Sequence, residues 1–454
     1  MTDEKRLRAG AATSNITPPL GVSLNGGMAD RTADHVHDEL HARALVLDDG
    51  AQRIAIVVCD SCMLPQGVLN EAKHLAHGHT AIPLDHMLVS ATHAHSAPTA
   101  GSCFQSEPDP AYLKFLAVRI SDAIRRAAHN LAPAQIGWGV GLEPGQVFNR
   151  RWRMRDTVKL ADPFGRPDRV RMNPPQASPD LIEPAGPIDP EIGILSVRTS
   201  EGKPLALLAN YSLHYVGGVP GGDISADYYG AFADRVQQLL GADRQDPPFV
   251  GIMSNGTSGN INNINFREKG EALAPYAKIR IVADAVAGEA ARVAGSIEYR
   301  PWVSLAMRED RLRLGRRATP RDEVERAKFI LSKAKGPVLQ GLEEIYARET
   351  VLLAEYPPYI ETIVQALRIG ELGIATSPCE TFVETGLAIK AESPLKPTFT
   401  IELANDYAGY LPTAEHHELG GYETWRARSS FLAVDAEAKL RGKALELLKQ
   451  VATS

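Results

Sequence analysis

The stretch that most restricts the fold of this chain is Met87 to Pro98. An apolar run, Met87-Leu88-Val89, gives way to Ser90-Ala91-Thr92-His93-Ala94-His95-Ser96, and a Pro/Gly/Ser-rich segment, Ala97 to Ser102, follows. A short apolar run bounded by turn-forming residues reads as a buried strand emptying into a loop. Side chains alternate along a strand, so His93 and His95 leave its end on the same side. Two imidazoles placed in this way begin a metal site, or else they are two polar residues closing a strand.

The same pattern recurs along the chain. Arg53–Asp60 carries the apolar run Ile54–Val58 and ends in Asp60-Ser61. Leu205–Tyr211 runs into Ser212-Leu213-His214-Tyr215 ahead of Gly217-Gly218. Pro248–Met253 runs into Ser254–Asn263, rich in Asn, Ser and Gly. Each is a strand predicted to deliver polar residues to a cleft, although the last, taken alone, reads first as an ordinary Asn/Gly turn and only second as an anion nest. Asp48-Asp49-Gly50 predicts a hairpin between Arg43–Leu47 and Arg53–Asp60, and Gly193–Arg198 with Pro204–Tyr211 predicts another. Helical periodicity covers Gln66–His77, Asp109–Leu131, Ala226–Leu240, Pro275–Val293, Arg321–Ala334, Leu339–Glu355 and Val434–Val451. Cys379–Ala391 is expected to be a helix that Glu380 opens, where a carboxylate also suits the helix dipole. Phe148–Pro187, with Arg150, Arg151, Arg153 and Arg155 among prolines and glycines, is expected to be a long substrate-shaping loop. Strands and helices intermix throughout, which predicts an α/β (mixed α+β) fold with a large mixed sheet flanked by helices.

Composition excludes several functions. A net charge of −6 leaves no electrostatic footprint for nucleic acid. No run is long and apolar enough to span a membrane, and no apolar segment follows the charged Met1–Arg6, so a cytoplasmic protein without membrane insertion is expected. Cys59-x-x-Cys62 ends an apolar strand and has no second cysteine pair to complete a zinc knuckle, so Cys59, Cys62, Cys103 and Cys379 are expected to be reduced and mostly buried.

Taken in order, Thr92-His93-Ala94-His95-Ser96, Asn149-Arg150, His214, Ser254–Asn263, Pro378–Glu380 and Gly409-Tyr410 with Tyr422-Glu423 resemble the neutral (non-lysosomal) ceramidases, a family of zinc amidases. The resemblance spans nearly the whole chain. It implies a single catalytic domain over 1–454, without the family's C-terminal immunoglobulin-like domain, and one zinc ion held by His93, His214, Glu380 and Tyr410. It further implies catalytic roles for His95, Arg150 and Tyr422, and a substrate or oxyanion contact from Asn260, Asn262 and His37. Zinc in such a set brings the pKa of its water to about 7, and the resulting nucleophile attacks an amide carbonyl. Two departures stand out: Asn262 occupies the place of the family's loop serine, which excludes a serine acyl-enzyme there, and Cys379 replaces the glycine before Glu380. The arginine-rich Asn149–Arg155 segment suggests that the substrate is a small polar or anionic molecule. The same site could also serve an ester, lactone or glycosidic bond, an elimination on a uronate-like sugar, or binding without turnover.

Overall fold

The computed structural model describes residues 5–454. Eight strands form the main sheet: β1 (Arg8–Asn15), β2 (His41–Asp48), β3 (Arg53–Cys59), β4 (Met87–Ala91), β5 (Ala132–Leu142), β6 (Glu191–Thr199), β7 (Pro204–Tyr211) and β8 (Val250–Asn255). Their order across the sheet is β8-β7-β6-β5-β1-β2-β3-β4. β3 with β4 and β7 with β8 are parallel pairs, and the other neighbours are antiparallel. The hairpin signal at Asp48-Asp49-Gly50 is borne out. Asp49 Oδ1 accepts from the Ala51 and Gln52 amides, and Gly50 takes φ +89°, which a side chain would resist.

The helices α1 (Gln66–Thr80), α2 (Pro110–His129), α3 (Asp227–Leu239) and α4 (Ala277–Ala294) cover one face of this sheet. Leu116, Ile120 and Ile124 of α2 bury against Ala44, Val46 and Val57, and Val282, Val286 and Ala290 of α4 against Ile192 and Ile194. The other face carries Leu45, Ile56, Leu88, Leu195, Leu208 and Ile252. It packs on a second sheet, β9 (Leu305–Gly315), β10 (Tyr359–Ile369), β11 (Leu372–Thr376) and β12 (Thr398–Ile401), in that order. Both faces of the main sheet are therefore covered, which is why its strands read as nearly continuous apolar runs. The helices α5 (Arg321–Leu331) and α6 (Gly341–Ala354) form a charged hairpin beside the site, α7 (Val383–Glu392) and α8 (Ala414–Leu419) follow the candidate ligand loops, and α9 (Ala436–Ala452) closes the second sheet from outside. Among the described residues no helix is long and apolar enough to cross a membrane.

Chain order repeats itself within the main sheet. β1-β2-β3-α1-β4-α2 and β5-β6-β7-α3-β8-α4 are the same succession, joined where β1 and β5 pair antiparallel at Arg8↔Pro133. In a flat sheet the ends of β4 and β8 would point in opposite directions. Adjacent strands rotate by roughly 20–25°, so the seven steps between those edges turn one by roughly 140–175° relative to the other. The two carboxyl ends thus face the same side, and the curled edges meet there: Asn255 Nδ2 donates to the Thr92 carbonyl at 3.3 Å. The segment Glu402–Asn405 fills the seam, with the Ala91 amide donating to Leu403 O, the Asn405 amide to Val89 O and the Glu402 amide to Asn255 O.

Two local expectations change. Phe148–Pro187 is not one irregular loop, because Arg151–Met154, Val170–Met172 and Leu181–Pro184 pair into a small sheet. Glu380 does not open a helix: Glu380–Thr381 pairs in parallel with Tyr410–Leu411, and α7 starts at Val383. The strand pairing is what brings Glu380 and Tyr410 side by side. The cysteines are free and buried, as expected.

Candidate metal centre

His93 stands two residues past β4 and His214 three residues past β7, one from each half of the repeated unit. His93 takes φ +76°, a backbone state that non-glycine residues seldom occupy, and it turns the ring into the cleft. Its Nδ1–H donates to Cys62 O at 2.7 Å. His214 Nδ1–H donates to Ser258 O at 3.2 Å. With each Nδ1 committed to a carbonyl, each Nε2 presents a lone pair. Those lone pairs converge on Glu380 Oε2, 3.2 Å from His93 and 3.7 Å from His214. His214 Nε2 and Glu380 Oε2 are buried and make no hydrogen bond, which leaves a triangle of donor atoms that a cation would satisfy. The residues present fit a metal ion on this ground.

The charges agree. Burial opposes the imidazolium form of His93, but the Glu380 carboxylate outweighs it and raises the pKa well above the ordinary histidine value. Burial likewise opposes the Glu380 carboxylate, and His93, with hydrogen bonds from Tyr410 and Tyr407, holds its pKa low. Without an ion, a proton on His93 balances the set, and a divalent cation would take that proton's place. Glu380 Oε1 accepts from Tyr407 OH at 2.8 Å.

Tyr410 lies beside Glu380, and its hydroxyl accepts from Arg150 Nη2 at 3.1 Å. Arg150 is held in turn by Glu423 Oε1 at 2.8 Å and by Gly259 O. The second oxygen of Glu423 takes Arg151 Nη1 at 2.6 Å. These arginines are buried and paired, so they hold the site together and do not form an open anion receptor. His95 puts Nε2 3.0 Å from His93 Nε2 and stacks on Tyr215 at 3.7 Å. Gly26 allows this, since a Cβ there would stand 2.4 Å from the His95 ring. Together with Tyr407, Tyr410, Tyr422 and Cys62, the His93–His95 pair and Glu380 line a chamber of about 90 Å³.

The structure thus gathers His93, His95, His214, Glu380, Tyr410, Tyr422 and Arg150. It does not bring Asn260, Asn262 or His37 to the chamber wall. Asn260 is fully buried, donating to Glu384 Oε2 and accepting from the Val383 amide, so it braces the start of α7. Asn262 donates to Asn173 Oδ1, and His37 stacks on Tyr276 at 3.6 Å. The backbone around Asn260 explains this placement: Gly259 N donates to Thr381 O, pinning the loop against the Glu380 strand.

Sequence reasoning missed Glu402. It is fully buried in the seam, and its two oxygens accept from Ser258 Oγ and from the Thr381 amide, both at 2.7 Å. Ser258 O holds His214 and Thr381 follows Glu380, so one carboxyl joins the loops of two candidate ligands. Burial pushes its pKa up to about 8. The signal was a lone carboxylate closing the apolar strand Pro397–Leu403, the same signal that marked Asp60.

The mixed main sheet backed by a second sheet matches the fold of solved ceramidase structures. The crystal structure of neutral ceramidase from Pseudomonas aeruginosa matches with a TM-score of 0.74 at 20% identity, over 99% of this chain and 75% of that one. A ceramidase complexed with C2 matches with a TM-score of 0.72 at 19% identity, over the same shares. No family model matches the sequence. At these identities the likeness is one of fold, and it bears out the mixed α/β class expected from the strand and helix pattern.

Proposed function

We propose that this chain is a zinc-dependent hydrolase of ceramidase type that cleaves an amide of a small substrate. The observation that carries this reading is the convergence of His93 Nε2 and the unpartnered His214 Nε2 on the unpartnered Glu380 Oε2 in a buried site. His93, His214 and Glu380 would hold the ion, with the Tyr410 oxygen as a fourth ligand. Once bound, the ion supplies Lewis acidity and makes a water acidic near neutral pH. The side chains do the rest. His95, beside the ion set but outside it, accepts a proton at Nε2. Tyr422, with its ring 5.8 Å from that of Tyr410, donates to the oxygen on which charge builds up. Arg150, fixed by Glu423, orients the Tyr410 hydroxyl. Asn262 supports no serine-like covalent step.

Metal analysis of the purified protein tests the reading, with a His93→Ala/His214→Ala double variant as control. The expected result is one zinc per chain, lost in the double variant along with amide hydrolysis. Zinc retained by that variant, or a substrate panel in which lactones, esters or sugar acids turn over and amides do not, counts against it.

A further inference from the structure

Of the arginines that suggested an anionic substrate, Arg150 and Arg151 are spent inside the protein and Arg155 is exposed away from the chamber lining, but Arg31 borders it. Arg31 closes the short pairing of Ser23–Leu24 with Arg31–Thr32. Its Nη2 donates to Asn25 O at 2.5 Å and to His95 O at 2.6 Å. Its Nε is buried without an acceptor. No carboxylate among the described residues pairs with it. A half-buried guanidinium in this state is an unfilled anion receptor.

Its position links it to the chamber. Arg31 lines a second cavity of about 290 Å³ that shares Gly26, Gly27 and His95 with the metal chamber. The one acid in that wall, Asp227, is turned away, accepting from the amides of Val216, Gly217 and Tyr228. On another side, a third cavity of about 350 Å³ shares Met28 and Tyr422 with the chamber; Leu160, Val170, Met172, Leu342 and Trp425 give it an apolar wall, while Lys159 and Arg171 on it are exposed and Asp168 is taken up by the Gly421 amide and Trp425 Nε1. The chamber therefore lies between an apolar recess and a cationic one.

We propose that the substrate is an N-acyl amino acid, with its acyl chain in the apolar recess and its carboxylate on Arg31, the scissile amide lying between them beside His93 and Glu380. This rests on the hydrolase reading above. Hydrolysis would break the C–N bond, adding water's hydroxyl to the acyl carbon and its proton to the amine, and it needs no other reactant.

The test uses the full chain as purified and the ketone analogue of N-octanoylglycine in which a methylene replaces the amide nitrogen, alongside that ketone's primary carboxamide. Calorimetric titration is expected to show the acid binding about tenfold or more tightly than the carboxamide, as a charge-assisted contact requires. Arg31→Gln is expected to abolish the preference by weakening the acid alone. Arg31→Lys, which keeps a cation and can still reach the two carbonyls, is expected to retain part of it, and this separates a lost charge from a disturbed loop. Equal binding of acid and carboxamide, or a preference that survives Arg31→Gln because the carboxylate sits elsewhere, overturns the proposal. Glycine release from N-octanoylglycine is followed in parallel. A carboxylate preference without glycine release overturns the hydrolase reading and leaves the Arg31 receptor standing.

Discussion

The two halves of the main sheet are built from one succession of elements and do different work. In the first, the residue two past the fourth strand is His93 and the residue three past the third strand is Cys62. In the second, the corresponding residues are Thr257 and His214. Each half sends the same two loops to the seam, yet each contributes an imidazole to the converging set from a different one. Thr257 instead packs where a Cβ on Gly386 of α7 would collide with its hydroxyl. The scaffold is duplicated and the converging donor set is not: the remaining members, Glu380 and Tyr410, come from outside both halves, on the short pairing of Glu380–Thr381 with Tyr410–Leu411. The sharpest break of this comparison is to remove one imidazole from each half. His93→Ala and His214→Ala are each expected to abolish zinc retention and turnover, read by elemental analysis and amine release. If either single variant keeps full occupancy, the ion does not bridge the halves.

One buried group from each half gives stability an opposite dependence on pH. Burial lowers the pKa of Lys73 in α1 to about 8, its ammonium donating to Asn405 Oδ1. The folded state then holds fewer protons than the unfolded one between pH 8 and the ordinary lysine value. This stability is present above that value and lost as pH falls through 8. Burial raises Asp227, at the start of α3, to about 6. Its stability is present below the ordinary carboxylate value and lost as pH rises through 6. Each shift corresponds to about 3 kcal/mol. Denaturant unfolding across pH is expected to show Lys73→Met flattening the alkaline rise and Asp227→Asn flattening the acid one. Slopes that match wild type would mean that these groups titrate normally.

Between the halves lies Glu402, and its removal is expected to have a smaller effect. Glu402→Ala should weaken zinc binding about 10- to 100-fold, the range for outer partners of metal ligands, as measured by chelator competition. Glu402→Gln, whose amide oxygen still accepts one of the two hydrogen bonds, should lose less. A lower melting temperature with unchanged zinc affinity would reduce Glu402 to a packing role.

Much of this was legible in the sequence, for a physical reason. A strand covered on both faces must be apolar throughout, so the polar residues that follow it mark the place where it meets the cleft, and His93, His95 and His214 were found in that way. The duplication was not legible, because it repeats element order and not residues. Glu380 was misplaced on a helix since a two-residue pairing with Tyr410 leaves no periodic trace. Asn260 looked like an oxyanion donor because Asn and Gly in a turn have the same composition whether they face a ligand or brace a helix. Arg31 was passed over because its value lies in what it lacks: a partner carboxylate, which only the folded chain reveals. Arg150 and Arg151 misled for the converse reason, since their partners, Glu423 and Gly259, lie far along the chain.

Cys62 gives the finest test of the comparison. Its thiol lies within reach of ring nitrogens of His93 and His95, so the first half alone holds a possible metal triad that competes with the set spanning both halves. Two observations decide between them. Two unpartnered atoms, His214 Nε2 and Glu380 Oε2, belong to the spanning set against one, His95 Nδ1, in the first-half triad, and an ion in the first half would leave both of the former unsatisfied. The Cys62 sulfur is 3.8 Å from His93 Nδ1, the nitrogen already donating to Cys62's own carbonyl, so it does not address the lone pair on Nε2. Cys62→Ala is therefore expected to leave zinc stoichiometry unchanged and zinc affinity within about twofold, a cost below that of losing even an outer partner. A loss of zinc comparable to that in His214→Ala would move the ion into the first half and make the thiol, not the distant imidazole, its ligand.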